Sequence, residues 1–158
     1  MSRSAEDDRA AIEKLMRTYA RLLDERRFAE WIDLFAEDGA YVVVTYENLQ
    51  DQGLLLFKDD GREALKERAA FVMGYYQFER CKTLHVVSNV DVATPSSDET
   101  SSTSYFVIYR TPADGLPRLY SCGEYRDRLV RRNGRWMFQE RLAIVDNNTL
   151  PENFTELI

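Results

Sequence analysis

Apolar side chains near the start of the chain recur at Ile12, Leu15, Met16, Tyr19, Leu22 and Leu23. Steps of three and four put them on one face of an amphipathic helix. Ser4 followed by Asp7 reads as its cap, a hydroxyl and a carboxylate that can serve each other's backbone N–H. Phe28, Trp31, Ile32 and Phe35 predict a second, short helix ended by Asp38-Gly39. The period then changes. Residues 40–46 are β-branched and aromatic and predict a strand. The polar stretch 47–52 predicts a turn, and 53–58 a second strand pairing back on the first. Asp60, with Glu63 three residues on, predicts the cap of a third helix over 62–76. Its inward residues are Leu65, Ala69, Val72 and Tyr76.

Long strands dominate the remainder. Residues 83–93 predict a strand with Leu84, Val86, Ser88, Val90 and Val92 on one face and His85, Val87, Asn89 and Asp91 on the other. Another follows at 104–110, before a Gly/Pro-rich loop at 112–117. The stretch 119–147 is a hairpin folded at Asn133-Gly134, a strong short-range turn signal. Two registers compete. A two-residue loop sets Asp127 opposite Glu140 and Arg126 opposite Arg141, so that like charges face unless a bulge intervenes. A three-residue loop with Gly134 left-handed pairs Arg126 with Glu140 and Val130 with Trp136, and is the register the charges favour.

Helices first and antiparallel strands later give an α+β class. The expected architecture is a cone-shaped roll, a curved antiparallel mixed sheet wrapped around about three helices. A single cone-fold domain over 1–158 is expected. Helices lie mainly at 5–36 and 61–76, sheet at 40–58 and 83–147, and a C-terminal tail at 148–158, long enough to lie across a neighbouring surface. A cavity between the first helix and the concave sheet face is where a small ligand would sit.

Composition narrows the chemistry. The chain has 158 residues, 44% hydrophobic, with a net charge of −6, enough for a real core and without the basic footprint of a nucleic-acid binder. No run approaches membrane-spanning length, and the charged start at 1–9 does not read as a signal peptide. Cys81 and Cys122 share no metal-type spacing and read as reduced thiols of a cytoplasmic protein. A single histidine, His85, cannot supply a Rieske cluster or a two-histidine iron site. No phosphate loop, G-x-S-x-G or H-E-x-x-H motif is present.

The pattern as a whole resembles a known family. Residues 19–28 (YARLLDERRF) with Trp31, 84–90 (LHVVSNV), 109–111 (YRT), 123–129 (GEYRDRL), Asn133-Gly134, Trp136 and Arg141-Leu142 carry the likeness. They resemble the small (β) subunit of aromatic-ring-hydroxylating, Rieske-type dioxygenases, within the cystatin-like or nuclear-transport-factor-like cone superfamily. The connection at 75–83 departs from that family's usual sequence, which leaves the substrate class open. The resemblance implies a structural subunit with no catalytic residue, cofactor or metal of its own. It implies a partner α subunit holding the Rieske iron–sulfur cluster and mononuclear iron, in a cytoplasmic α3β3 assembly built on a trimer, for the catabolism of aromatic compounds. The Arg-rich hairpin tip and the tail are the candidate trimer contacts.

A second reading makes the chain a stand-alone cone-fold dehydratase or isomerase. Tyr19, Asp24 and His85 would then line the cavity, a carboxylate or imidazole abstracting a proton and a tyrosine hydroxyl stabilising the enolate. Asn89, on the face expected for His85, could assist. A third reading is a small hydrophobic-ligand binding protein.

Overall fold

The computed structural model describes residues 4–96, 98–151 and 154–158. Helix α1 (Ala5–Asp24) forms as its pattern dictates. Ser4 and Asp7 make the reciprocal capping box, and every apolar position named above is buried. Helix α2 (Phe28–Ile32) is a single turn carrying Phe28, Trp31 and Ile32 into the same core. Phe35 belongs not to that helix but to strand β1 (Phe35–Thr45), so the sheet begins earlier than residue 40. Gly39 makes this possible. A Cβ there would lie 2.8 Å from the Phe138 carbonyl oxygen, so only glycine lets the irregular start of β1 press against β6.

Thr45 caps a short helix, α3 (Tyr46–Gln50), through its hydroxyl. This replaces the expected turn and delays the second strand, β2, to Phe57–Asp60. Leu54 and Leu55, expected within that strand, are exposed. Helix α4 (Gly61–Tyr76) starts after Asp60, whose side chain makes no cap bond and pairs with Lys58 at 3.1 Å instead.

Strands β3 (Lys82–Val92), β4 (Glu99–Thr111), β5 (Arg118–Arg132) and β6 (Arg135–Val145) complete one open sheet ordered β2-β1-β6-β5-β4-β3. All neighbours are antiparallel except β1 and β6. The expected α+β roll with a mixed sheet is therefore present. Trp31, Phe35, Tyr125 and Phe138 gather around Tyr19 at centroid distances of 5.6 to 6.5 Å and fill the space between α1 and the sheet.

Three bulges re-aim side chains, and none was anticipated at its position. On β3 the left-handed Asn89 (φ 53°) shifts the register between Ser88 and Asp91. Val90 and Val92 thereby join Val87 against the core, while Leu84, Val86 and Asn89 face outward. On β5 Tyr120 is the extra residue between the pairs Ile108–Ser121 and Tyr109–Leu119, and its ring turns inward. On β6 Gln139 is the extra residue, because Leu129 pairs with Phe138 and Arg128 with Glu140.

The last bulge corrects the hairpin register. Arg132 pairs with Arg135 across a two-residue loop, with Asn133 and Gly134 both at positive φ, as a type I′ turn requires. The three-residue loop is not used. After the bulge Asp127 stands opposite Arg141, and the repulsive pairing never occurs. Arg141 binds Asp127 through two 2.8 Å hydrogen bonds, both side chains fully buried. The guanidinium lies 4.0 Å from the ring centres of Tyr19 and Tyr125 and 4.2 Å from that of Phe138.

Candidate functional site

A ligand cavity was expected between α1 and the concave sheet face, and at the mouth of that space residues 154–158 pack against Tyr19, Tyr41 and His85. Phe154 stacks on Tyr120 at 5.4 Å and on Phe57 at 6.1 Å. Glu156, Leu157 and Ile158 are buried. Residues 154–158 therefore pack on their own chain, while residues 148–150 stay exposed.

The residues that receive it come from separate elements. From α1, the Tyr19 hydroxyl donates to the Ile158 main-chain oxygen at 2.6 Å. From β1, the Tyr41 hydroxyl accepts the Ile158 N–H at 2.9 Å. From the β5 bulge, the Tyr120 hydroxyl accepts the Glu156 N–H at 3.2 Å. From β3, His85 Nε2 lies 2.9 Å from the Leu157 carbonyl oxygen. The Glu156 carboxylate meets Arg26 at 2.8 and 3.1 Å and the Cys81 thiol at 3.2 Å. Arg26 adopts a positive φ of 57° directly after α1, which turns its side chain under the tail.

Burial shapes the electrostatics. It pushes the Tyr19 hydroxyl up to about 12, with Arg141 only partly offsetting it. The Tyr41 hydroxyl is also held well above its usual value, first by burial and then by Tyr19. Both remain neutral hydrogen-bonding groups through the physiological range. Burial raises the Cys81 thiol too, and Glu156 adds to the effect, so this sulfur stays protonated rather than becoming a thiolate nucleophile. For Arg26, burial opposes the charge but the hydrogen bonds and charge of Glu156 outweigh it.

Asp24 and His85 thus meet directly, while Tyr19 reaches the same tail segment as His85. His85 Nδ1 is 2.6 Å from Asp24 Oδ1, and both Asp24 oxygens accept the His85 backbone N–H at 3.1 Å. His85 is thus held between the Asp24 carboxylate and the Leu157 carbonyl oxygen. Asn89 lies on the exposed surface and contributes nothing here. On the outer side an open groove of about 490 Å³ is lined by Arg17, Arg21, Asp24, Leu84, His85 and Val86. Among the described residues no three His, Cys, Asp or Glu side chains are grouped to hold a metal ion.

Tyr41, Tyr120, Arg26 and Glu156 were not singled out in the sequence. Tyr120 could not have been, since only its bulge turns it inward. Glu156 stands between Thr155 and Leu157 and carried no signal of its own.

Residues 4–142 match the family model of the SnoaL-like domain. The chain belongs to the SnoaL-like family. Relatives of this SnoaL-like chain include the β2 subunit of the terephthalate 1,2-dioxygenase terminal oxygenase component of a Comamonas species. That protein is 24% identical over 82% of this chain and 84% of its own length. The β subunit of benzene 1,2-dioxygenase of Pseudomonas putida is 29% identical over 90% of this chain and 83% of its own. Among solved structures, a Novosphingobium aromaticivorans chain provisionally assigned as a ring-hydroxylating dioxygenase β subunit superposes with a TM-score of 0.84 at 23% identity. It covers 96% of this chain and 97% of its own. A protein from the same organism provisionally assigned as a scytalone dehydratase gives 0.67 at 27% identity, covering 85% and 81%. A third from that organism, an NTF2-like protein with a cystatin-like fold, gives 0.71 at 19% identity, covering 90% and 84%. The expected superfamily architecture and the likeness to dioxygenase β subunits are both present.

Proposed function

We propose that this chain is the structural β subunit of an aromatic-ring-hydroxylating dioxygenase, assembling with a larger α subunit in aromatic catabolism. The observation that carries this reading is the run of dioxygenase β subunits among its relatives, aligned over 82% to 90% of the chain. In this reading the α subunit holds the Rieske cluster and mononuclear iron, and the complex is a cytoplasmic α3β3 assembly founded on a β trimer. The chain acts through its surface and has no catalytic residue of its own.

Two features of the molecule support it. The space inside the roll is taken up by aromatic side chains and the tail, and His85 is held between Asp24 and the Leu157 carbonyl oxygen. The outer sheet face, by contrast, is left apolar. Leu84, Tyr109 and Leu119 pair across β3, β4 and β5, with Val86 and Tyr105 beside them, and all five are exposed. A contiguous exposed apolar patch marks an interaction surface, and β3 is the sheet's edge strand, which also favours contact with another chain. We assign the trimer contact to this face.

The test is purification of the tagged chain from cells that make it. A large subunit with non-haem iron and acid-labile sulfide is expected to co-purify. Leu84→Glu with Tyr109→Glu should reduce that recovery while the far-UV circular dichroism stays unchanged. A chain that purifies alone, without iron, contradicts the proposal.

A further inference from the structure

The contacts made by 154–158 have the form of ligand recognition. Three tyrosines and a histidine, from α1, β1, β3 and β5, address main-chain atoms of Glu156, Leu157 and Ile158. Side chains of the segment enter separate sockets. Phe154 lies between Phe57 and Tyr120. The Glu156 carboxylate takes both terminal nitrogens of Arg26, with Arg110 Nε at 3.7 Å. Leu157 and Ile158 bury themselves in the core. Main-chain hydrogen bonds supplying affinity, and pockets supplying selectivity, are the physics of peptide recognition.

We infer that the mouth of the roll is a binding site for a short peptide of the pattern aromatic-x-acidic-apolar-apolar, which residues 154–158 fill in cis. The groups that address the segment all lie outside it. Tyr19, Tyr41 and His85 are fixed by α1, β1 and β3, and Arg26 by the turn after α1. Tethering supplies the segment at a high effective concentration, so a free peptide cannot compete while the tail is intact. Weakening the tail should empty the site and let a second peptide of the same sequence enter. This inference does not depend on the dioxygenase reading.

The test uses the full chain carrying Leu157→Gly and Ile158→Gly, with the acetylated pentapeptide Phe-Thr-Glu-Leu-Ile as probe. Saturable binding to the variant and none to the wild type is expected by isothermal titration calorimetry, with the melting temperature of the variant rising towards wild type. A peptide with Gln in place of Glu should bind at least about tenfold more weakly, since it loses a charge-assisted, bidentate contact. A folded variant that ignores the peptide overturns the inference. If the variant does not fold, hydrogen exchange of the wild type decides. Amides of Glu156 and Ile158 protected to the level of β6, with Tyr120→Phe accelerating exchange at Glu156 alone, sustain it. Exchange of those amides at the rate of a free peptide overturns it.

Discussion

Two buried ionic arrangements in this molecule do different jobs. Deep in the roll, Arg141 and Asp127 pair across adjacent strands, 14 residues apart in sequence and both fully buried. At the mouth, Arg26 and Glu156 pair across 130 residues, each slightly exposed. The inner pair sets a register. It exists only because the Gln139 bulge brings Arg141 opposite Asp127, and it would be lost in any slipped hairpin. The outer pair closes a cavity, joining the end of α1 to a segment that has no ladder of its own. A buried ion pair offers limited net stability but penalises every arrangement that leaves one charge unpaired. Here that penalty chooses a strand alignment in one place and seats a tail in the other.

The sharpest way to break the contrast is at the hairpin backbone. A Cβ at Gly123 would lie 1.9 Å from the Ile144 carbonyl oxygen, so Gly123→Ala must push β5 and β6 apart. A loss above about 3 kcal/mol is expected, read as a lowered urea midpoint. Next comes the inner pair itself. Arg141→Met alone should cost about 3–5 kcal/mol, because Asp127 stays buried without a partner. Arg141→Met with Asp127→Leu should recover most of that loss. A double variant as unstable as the single would show that the pair contributes more than register.

The outer pair should be milder. Glu156→Gln leaves Arg26 under-satisfied in a partly solvated place and is expected to cost about 1–3 kcal/mol. Its signature is faster amide exchange in 154–158 while β6 stays protected, a local opening that the inner variants would not produce. The smallest effect is one of pH. The Tyr19 hydroxyl is raised from 10.0 to about 12 by burial. Its contribution to stability is fully present below the unfolded value and is lost as pH rises from about 10 towards the folded value. Urea midpoints should therefore hold up to about pH 9 and decline by about pH 11, with a shallower decline in Tyr19→Phe.

The helices were largely legible because each carries its own evidence. The Ser4–Asp7 box and the spacing from Ile12 to Leu23 specify α1 without help from the rest of the chain. The sheet was legible in its strands and less so in its faces, because one inserted residue inverts the alternation and leaves no local mark. Asn89, Tyr120 and Gln139 each did this. The hairpin charges held the right information, yet the bulge that reconciles them sits at Gln139, six residues from the turn. Asp24 and His85 do meet, at 2.6 Å, and Tyr19 and His85 both reach the tail. That the tail would occupy their space depended on Tyr41, Tyr120 and Arg26, residues far apart in sequence whose shared target appears only on folding.

The central claim is that the interior of this SnoaL-like chain is closed and that it works through its outer face. Native mass measurement of the tagged chain from its producing cells tests this most directly. The account predicts that the 18.4 kDa chain is found in multiples of three, bound to a larger iron-bearing subunit. A lone monomer that dehydrates or isomerises a cyclic substrate, and loses that activity with His85→Ala, would contradict it.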